Sequence, residues 1–328
     1  MRPTITTLIL AHLAASSVIA CRAEDPSGKT VTVTVPPPAT ATATPTPTAT
    51  PTATATATPT PTATVACGKG GACPPGLECV LPFDGNHVIP GPGTCMPPGP
   101  RMGGRPLVVD GVAHVSAAAG TSTWLEGEGL ADAVREIEPA TRLAWRDTLA
   151  RAAFEEHASV PAFARTLCQL VALGAPSWLV EKTQRALADE IVHARRTFAW
   201  AGALGGEAVG PGTLLEAVAP FPGSSTLEGL AAELLRDVFR GGCIGETLAA
   251  HDAHEKSLTA PLAELRAYYT GIAADEARHA ALAFETVLWL VATFPALRSA
   301  LDEERIALGS AAPGDRAIVE PLIATVLA

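Results

Sequence analysis

Two Glu-x-x-His tetrapeptides, Glu190–His193 and Glu276–His279, each follow a lone glutamate on an earlier helix-like segment. Glu156 precedes Glu190 by 34 residues and Glu246 precedes Glu276 by 30. A chain with 8 histidines in 328 residues yields roughly half a Glu-x-x-His match by chance, so the tetrapeptide alone says little. The doubled frame constrains the fold far more, because each of its carboxylates falls on an otherwise apolar helical stripe.

From about Thr141 onward the chain is rich in Ala, Leu, Arg and Glu, and its breaks divide it into four long helical candidates. The first runs to Gly174, a natural helix-ending residue, and Pro176-Ser177 starts the second, which ends near Gly202 to Gly206. Ser225-Thr226-Leu227-Glu228 has the form of a capping box and opens the third. The fourth spans about Leu262 to Val291, before Pro295, with shorter helices expected over Ala296 to Ala307 and Ala317 to Ala328. Connections one to two and three to four are short; the connection between two and three is about twenty residues, enough to travel the length of a bundle. The expected fold is an all-α four-helix bundle with one long crossover.

A 3.6-residue period gives each helix an inward stripe. On the first it is Leu149, Ala153, Glu156, Val160, Phe163, Leu167 and Leu170. Adjacent Glu155 and His157 are rotated off it by about 100°. The second stripe carries Leu187, Glu190, His193 and Thr197; the third Phe239, Cys243, Glu246 and Ala253; the fourth Leu265, Tyr269, Ile272, Glu276, His279 and Leu290. A lone carboxylate in such a stripe would be costly enough to shift its pKa or disrupt the core, and divalent cations remove that cost. Glu and His at i, i+3 lie on one face about a turn apart, so both can reach one metal while glutamates from facing helices bridge two.

Residues before about 140 need a separate account. Met1-Arg2-Pro3, an apolar run from Ile5 to Ala20, and Val18-Ile19-Ala20-Cys21 resemble a bacterial lipoprotein signal peptide and its lipobox. The run is too short for a spanning helix, so residues 1–20 are expected to be removed and Cys21 lipidated. Arg22 follows the cysteine where an aspartate would signal inner-membrane retention, so the resemblance implies the outer membrane. Residues 21–65 are a Thr/Pro/Ala-rich linker that cannot bury enough surface to fold; as polyproline II, at about 3.1 Å per residue, Thr30 to Val65 would span roughly 100 Å. Residues 66–100 hold Cys67, Cys73, Cys79 and Cys95 among glycines and prolines, which in an oxidising compartment reads as a two-disulfide module with three pairings open. Residues 101–140 contain a hairpin signal, Asp110-Gly111 between two apolar runs, and residues 141–328 form the helical domain.

Net charge is −10 with 23 Lys plus Arg, and no basic run could track a phosphate backbone, so nucleic acid is not an expected partner. The expected partner is the membrane, through the N-terminal lipid. The sequence names no electron donor and leaves a homodimer open.

Asp275-Glu276-Ala277-Arg278-His279 resembles the Asp-Glu-x-Arg-His box of bacterial multicomponent monooxygenases and ribonucleotide reductase small subunits. Asp189-Glu190-Ile191-Val192-His193 repeats it without the arginine, and the spacing of the two halves resembles that of rubrerythrins, over roughly residues 141 to 292. The resemblance implies a ferritin-like bundle in which Glu156, Glu190, His193, Glu246, Glu276 and His279 ligate two metal ions, iron or alternatively manganese or a mixed pair. Glu190 and Glu246 would be the bridging or shifting carboxylates. It also implies that Asp189 receives the outer ring N–H of His279 and Asp275 that of His193, with Arg278 beside them.

Other positions depart from that pattern. Phe163 stands where rubrerythrins carry tyrosine. Tyr269 is the only phenol on an inward stripe and is most simply a core aromatic. Pro161 is expected to kink the first helix one turn from Glu156. Gly241, Gly242 and Gly245 each cost about 1 kcal/mol in a helix relative to alanine, which implies either space or a distorted turn beside Glu246, or close packing of helices. His251 and His254 belong with Asp252 and Glu255 on a solvated helix end. Cys168 and Cys243 are expected too far apart axially for a disulfide. Three functions follow as expectations: oxygen- or peroxide-dependent redox chemistry, metal sequestration, or a structural surface module.

Overall fold

The computed structural model describes residues 4–16, 22–24, 30–32, 65–66, 78–80, 94–96, 104–109, 112–119, 123–124, 130–218, 226–309 and 311–327. The chain divides into two compact units. In Ser16–Phe83 with Val88–Gly99, the described residues are short antiparallel ladders: Arg22–Glu24 pairs with Thr30–Thr32, at the start of the expected stalk, and Thr94–Met96 lies between Val65–Ala66 and Glu78–Val80. The register sets Cys79 opposite Cys95. Cys21, Cys67, Cys73 and the body of the linker lie outside the described residues.

The larger unit is all-α apart from two small ladders. Its long helices are α2 (Pro139–Ala172), α3 (Ser177–Gly205), the run α4 (Leu227–Asp237), a π-helix (Val238–Glu246) and α5 (Thr247–Thr259), and then α6 (Ala263–Thr293). Shorter helices α7 (Arg298–Leu308) and α8 (Pro313–Val326) close the chain. Near the N-terminus, α1 (Ile5–Ser16) buries Ile5 and Ile9 in the same apolar cluster, contacts that cleavage before Cys21 would take away. Among the described residues no single helix is long and apolar enough to cross a membrane.

Local chemistry sets the helix ends. Glu138 caps α2, its Oε1 accepting from the Ala140 N–H at 3.0 Å and its Oε2 from Thr141 at 2.8 Å, while Pro139 occupies the first helical position, where no N–H is needed. At the other end Gly174 turns left-handed with φ 70°, so that Ala175 N–H reaches Leu170 O and Gly174 N–H reaches Val171 O; this pair of bonds satisfies the final carbonyls. Gly206, φ 77°, ends α3 with a single bond, its N–H donating to Gly202 O at 2.8 Å. The third run is capped by Thr226, whose hydroxyl accepts from Gly229 N–H at 3.1 Å. The cap therefore sits one residue after the Ser225 of the expected box, and Ser225 lies outside the described residues. α2 runs through Pro161 as one helix.

α2 packs along α3, α6 packs along α5 and the π-helix, and α3 meets α6. The core between them includes Leu149, Phe163, Leu170, Phe239, Leu265 and Leu290, all essentially inaccessible. A satellite cluster of Ala153, Phe154, Ala194 and Phe198 lies under Trp124 and Val209.

The segment before α2 straps onto this core. β1 (Leu107–Val109) and β2 (Val112–His114) form an antiparallel hairpin whose register leaves Asp110-Gly111 as its two-residue connection, outside the described residues. β3 (Ala118–Ala119) pairs with β4 (Gly210–Pro211) in the long connection after α3. Leu107 is fully buried, and Arg165 of α2 donates to the Val108 carbonyl at 2.8 Å, which fixes the hairpin on that helix. α7 is tied to the π-helix by a two-pronged pair, Arg240 Nε and Nη2 to Glu304 at 2.6 and 2.7 Å.

The π-helix owes its shape to small residues. A Cβ on Gly242 would overlap that of Ala283 on α6, and one on Gly241 would come within 3.2 Å of the Arg105 side chain. Gly242→Ala is expected to destabilise the fold by about 1–3 kcal/mol through overpacking. Gly271→Ala, on α6 with open space around it, is expected to stabilise by about 0.5–1 kcal/mol through lost chain entropy. Urea unfolding of the two variants measures both signs.

Candidate metal centre

Glu156 comes from α2, Glu190 and His193 from α3, Glu246 from the end of the π-helix, and Glu276 and His279 from α6. All six are buried: Glu190, Glu246 and Glu276 are 0% exposed and Glu156, the most exposed, 7%. Neighbouring Glu155 is rotated off the cluster and half-buried, yet burial of its carboxyl raises its pKa to about 8 in spite of Arg151 and Lys256 nearby.

Their polar atoms converge in two overlapping groups that could hold a metal ion. One is Glu156, Glu190, His193 and Glu276; the other is Glu246, Glu276 and His279. Glu276 belongs to both. His193 Nδ1 lies 3.3 Å from Glu276 Oε1, 3.5 Å from Glu156 Oε2 and 3.9 Å from Glu190 Oε1. His279 Nδ1 lies 3.0 Å from Glu190 Oε1 and 3.2 Å from Glu276 Oε2. The carboxylates facing both imidazoles are thus Glu190 and Glu276, in place of the pair Glu190 and Glu246 that the resemblance implied, and Glu156 and Glu246 each belong to one group only.

The outer ring nitrogens have partners of their own. His193 Nε2 is 3.1 Å from Asp275 Oδ2, and His279 Nε2 is 3.2 Å from Asp189 Oδ2. Arg278 spans the two aspartates, at 2.5 Å from Asp275 and 3.2 Å from Asp189. With Nε2–H donating to an aspartate, each imidazole turns its Nδ1 lone pair toward carboxylate lone pairs. Acceptor facing acceptor at these distances is repulsive unless a proton or a cation lies between.

Hydrogen bonding leaves the same need. Both oxygens of Glu190 and of Glu246, with Glu156 Oε2, Glu276 Oε1 and His193 Nδ1, are buried with no hydrogen-bond partner among the described residues. Burial pushes the Glu156 and Glu246 carboxyls well above their usual range, and neighbouring glutamates add to it. Burial works against charge on His193 and His279, but the surrounding carboxylates prevail and raise both well above the ordinary imidazole value. For Glu276, burial is outweighed by the two histidines, and its carboxyl is held low. In the metal-free chain, protons neutralise this cluster. Divalent cations would do the same while satisfying the orphaned lone pairs, so the side chains fit a metal centre of carboxylates and imidazole Nδ1.

No family model, curated protein or solved structure matches the chain.

Several neighbours of the cluster escape the periodicity. Tyr268 donates to the His193 carbonyl at 3.4 Å and shares a short bond with the Thr197 hydroxyl, while burial raises its phenol pKa. Tyr269, the phenol on the inward stripe, is buried with its hydroxyl unpartnered among the described residues and packs against Trp145 and Tyr268. Phe163 meets the His279 ring edge-on at 5.4 Å. Arg105, from the strap, is buried with its guanidinium 4.9 Å from the centre of the Phe163 ring. Nothing periodic marks Arg105; the glycine cluster it packs against was the available signal. His251 and His254 stay outside both groups, and Cys168 and Cys243 are free, the first exposed and the second buried.

Because Glu156, Glu246, His193 and His279 all hold protons more tightly than usual, cation uptake near pH 7 must displace them. Adding divalent metal to lightly buffered apoprotein is expected to release about two or more protons per chain, and affinity should fall as pH falls. An indicator dye reads the release; uptake without acidification would contradict the assignment. Asp275→Asn, which upsets the acceptor that orients His193, is expected to weaken metal affinity about 10–100-fold in chelator competition.

Proposed function

We propose that the helical unit is a ferritin-like four-helix bundle whose six buried ligands hold a dinuclear metal centre, two iron ions, used for oxygen- or peroxide-dependent redox chemistry. The observation that carries this reading is the pair of imidazole Nδ1 atoms, 3.0–3.9 Å from carboxylate oxygens that have no other partner among the described residues. A mixed set of four carboxylates and two imidazoles suits iron or manganese, since a structural zinc site is most often rich in cysteine. We place the protein in the cell envelope, tethered through lipid on Cys21, with residues 21–65 as its stalk.

Bound there, the metal pair would supply the electrons that dioxygen or peroxide accepts. The chain's own contributions are more specific. Asp189 and Asp275 hold each imidazole in the tautomer that presents Nδ1 inward, and Arg278 holds the two aspartates. Phe163, Leu282 and Ala283 line the apolar side of a small cavity beside Glu246 and His279. Glu190 and Glu276, facing both histidines, can shift between the two ends of the cluster as charge there changes.

The test is to load the full chain with ferrous iron without air and mix it rapidly with oxygen or hydrogen peroxide. New visible or near-ultraviolet bands within seconds are expected. Iron that stays bound with no optical change in either oxidant would leave binding and sequestration as the function.

A further inference from the structure

A cavity of about 10 Å³ lies against the candidate centre, and its walls include Arg105, Phe163, Gly242, Glu246 and His279. That is about the room one water-sized group needs. The guanidinium at its edge is buried, with 6% of the residue exposed. Among the described residues it donates one hydrogen bond, from Nη1 to Thr166 Oγ1 at 3.1 Å, and Nη2 and Nε have no partner. Nη2 instead borders the Gly242 side of the cavity, where a Cβ would stand 3.1 Å from it.

The arginine is not an ordinary ion pair. Glu246 and Asp237 favour its charge, yet burial is the stronger influence and lowers its pKa. Its position is built: Leu107 is fully buried just beyond it, Thr166 holds one prong, and Gly241 and Gly242 leave the space it fills. With two divalent cations bound, the four glutamates are neutralised. The guanidinium then keeps only the carboxylate of Asp237 among the two that favour its charge, with Nη2 bordering a space of one-atom width.

We propose that this cavity is an anion site, taking a small inorganic anion of one heavy atom, of the class of fluoride, with Arg105 as its charged donor. The proposal rests on the metal reading, because a cation held by Glu246 and His279, both in the cavity wall, would add the positive charge that draws an anion in. Anion binding therefore depends on metal, and by linkage the anion tightens metal binding by the same factor. Charge-assisted hydrogen bonds at a buried site are strong enough that removing the guanidinium should weaken binding about tenfold or more.

The experiment uses the full chain loaded with cobalt(II), which stays divalent in air and whose visible bands report its ligands, titrated with fluoride by calorimetry. Expected are fluoride binding to the loaded protein and none to the apoprotein, about tenfold or greater loss in Arg105→Met, and a loss within about threefold in Arg105→Lys. Should Arg105→Met fail to fold, Thr166→Val, which frees the guanidinium from its tether, is compared with wild type and is expected to bind fluoride more weakly. Fluoride affinity unchanged in the variants, with melting temperature alone affected, would make Arg105 a structural residue and overturn the site. Loaded protein that binds no fluoride would overturn it too. A chain that takes up no cobalt would overturn the metal reading, and the anion site with it.

Discussion

Four carboxylates share one apolar core, and charge balance among them governs the surrounding structure. Any one alone would be pushed toward its neutral form by burial, and together they also repel one another. Two imidazoles reduce the imbalance but turn their inner nitrogens toward the same oxygens. The cluster stays buried only by taking positive charge from outside, as protons or as metal cations.

Around that constraint the chain has arranged three kinds of support. The outer nitrogens of the histidines are fixed by aspartates from the opposite helix, and Arg278 joins the aspartates. Glycines in the π-helix let α6 and the N-terminal strap come close, so that Glu246 arrives from a distorted turn. The strap, pinned by Leu107 and by Arg165 on Val108, delivers a second cationic group, Arg105, from outside the helical region. Each support would be costly in an ordinary helical core, where alanine would serve better than glycine and leucine better than arginine.

The sequence reveals these parts unevenly. Helical period separates Glu156, which is buried, from Glu155 beside it, because one residue is a rotation of about 100°. It also marks the ends of α2 and α3, where Gly174 and Gly206 supply conformations that other residues resist. Arg105 has no such mark: it follows a glycine pair in a segment without a period, and its place depends on tertiary contacts some 60 residues away at Thr166. Gly241, Gly242 and Gly245 imply space, a distorted turn or close packing; they lie in a π-helix, with α6 packed closely at Gly242 and the strap against Gly241 and Gly245. The inward stripe selects Tyr269, yet its neighbour Tyr268 is the one that reaches the His193 backbone.

Glu276 belongs to both ligand groups, so the two metal positions should stand or fall together. Native mass spectrometry of the iron-loaded chain tests this directly. The account predicts two metal ions per chain in the wild type and neither in Glu276→Ala, with the variant still folded. A folded wild type that carries no metal, or a Glu276→Ala variant that keeps both ions, would contradict it.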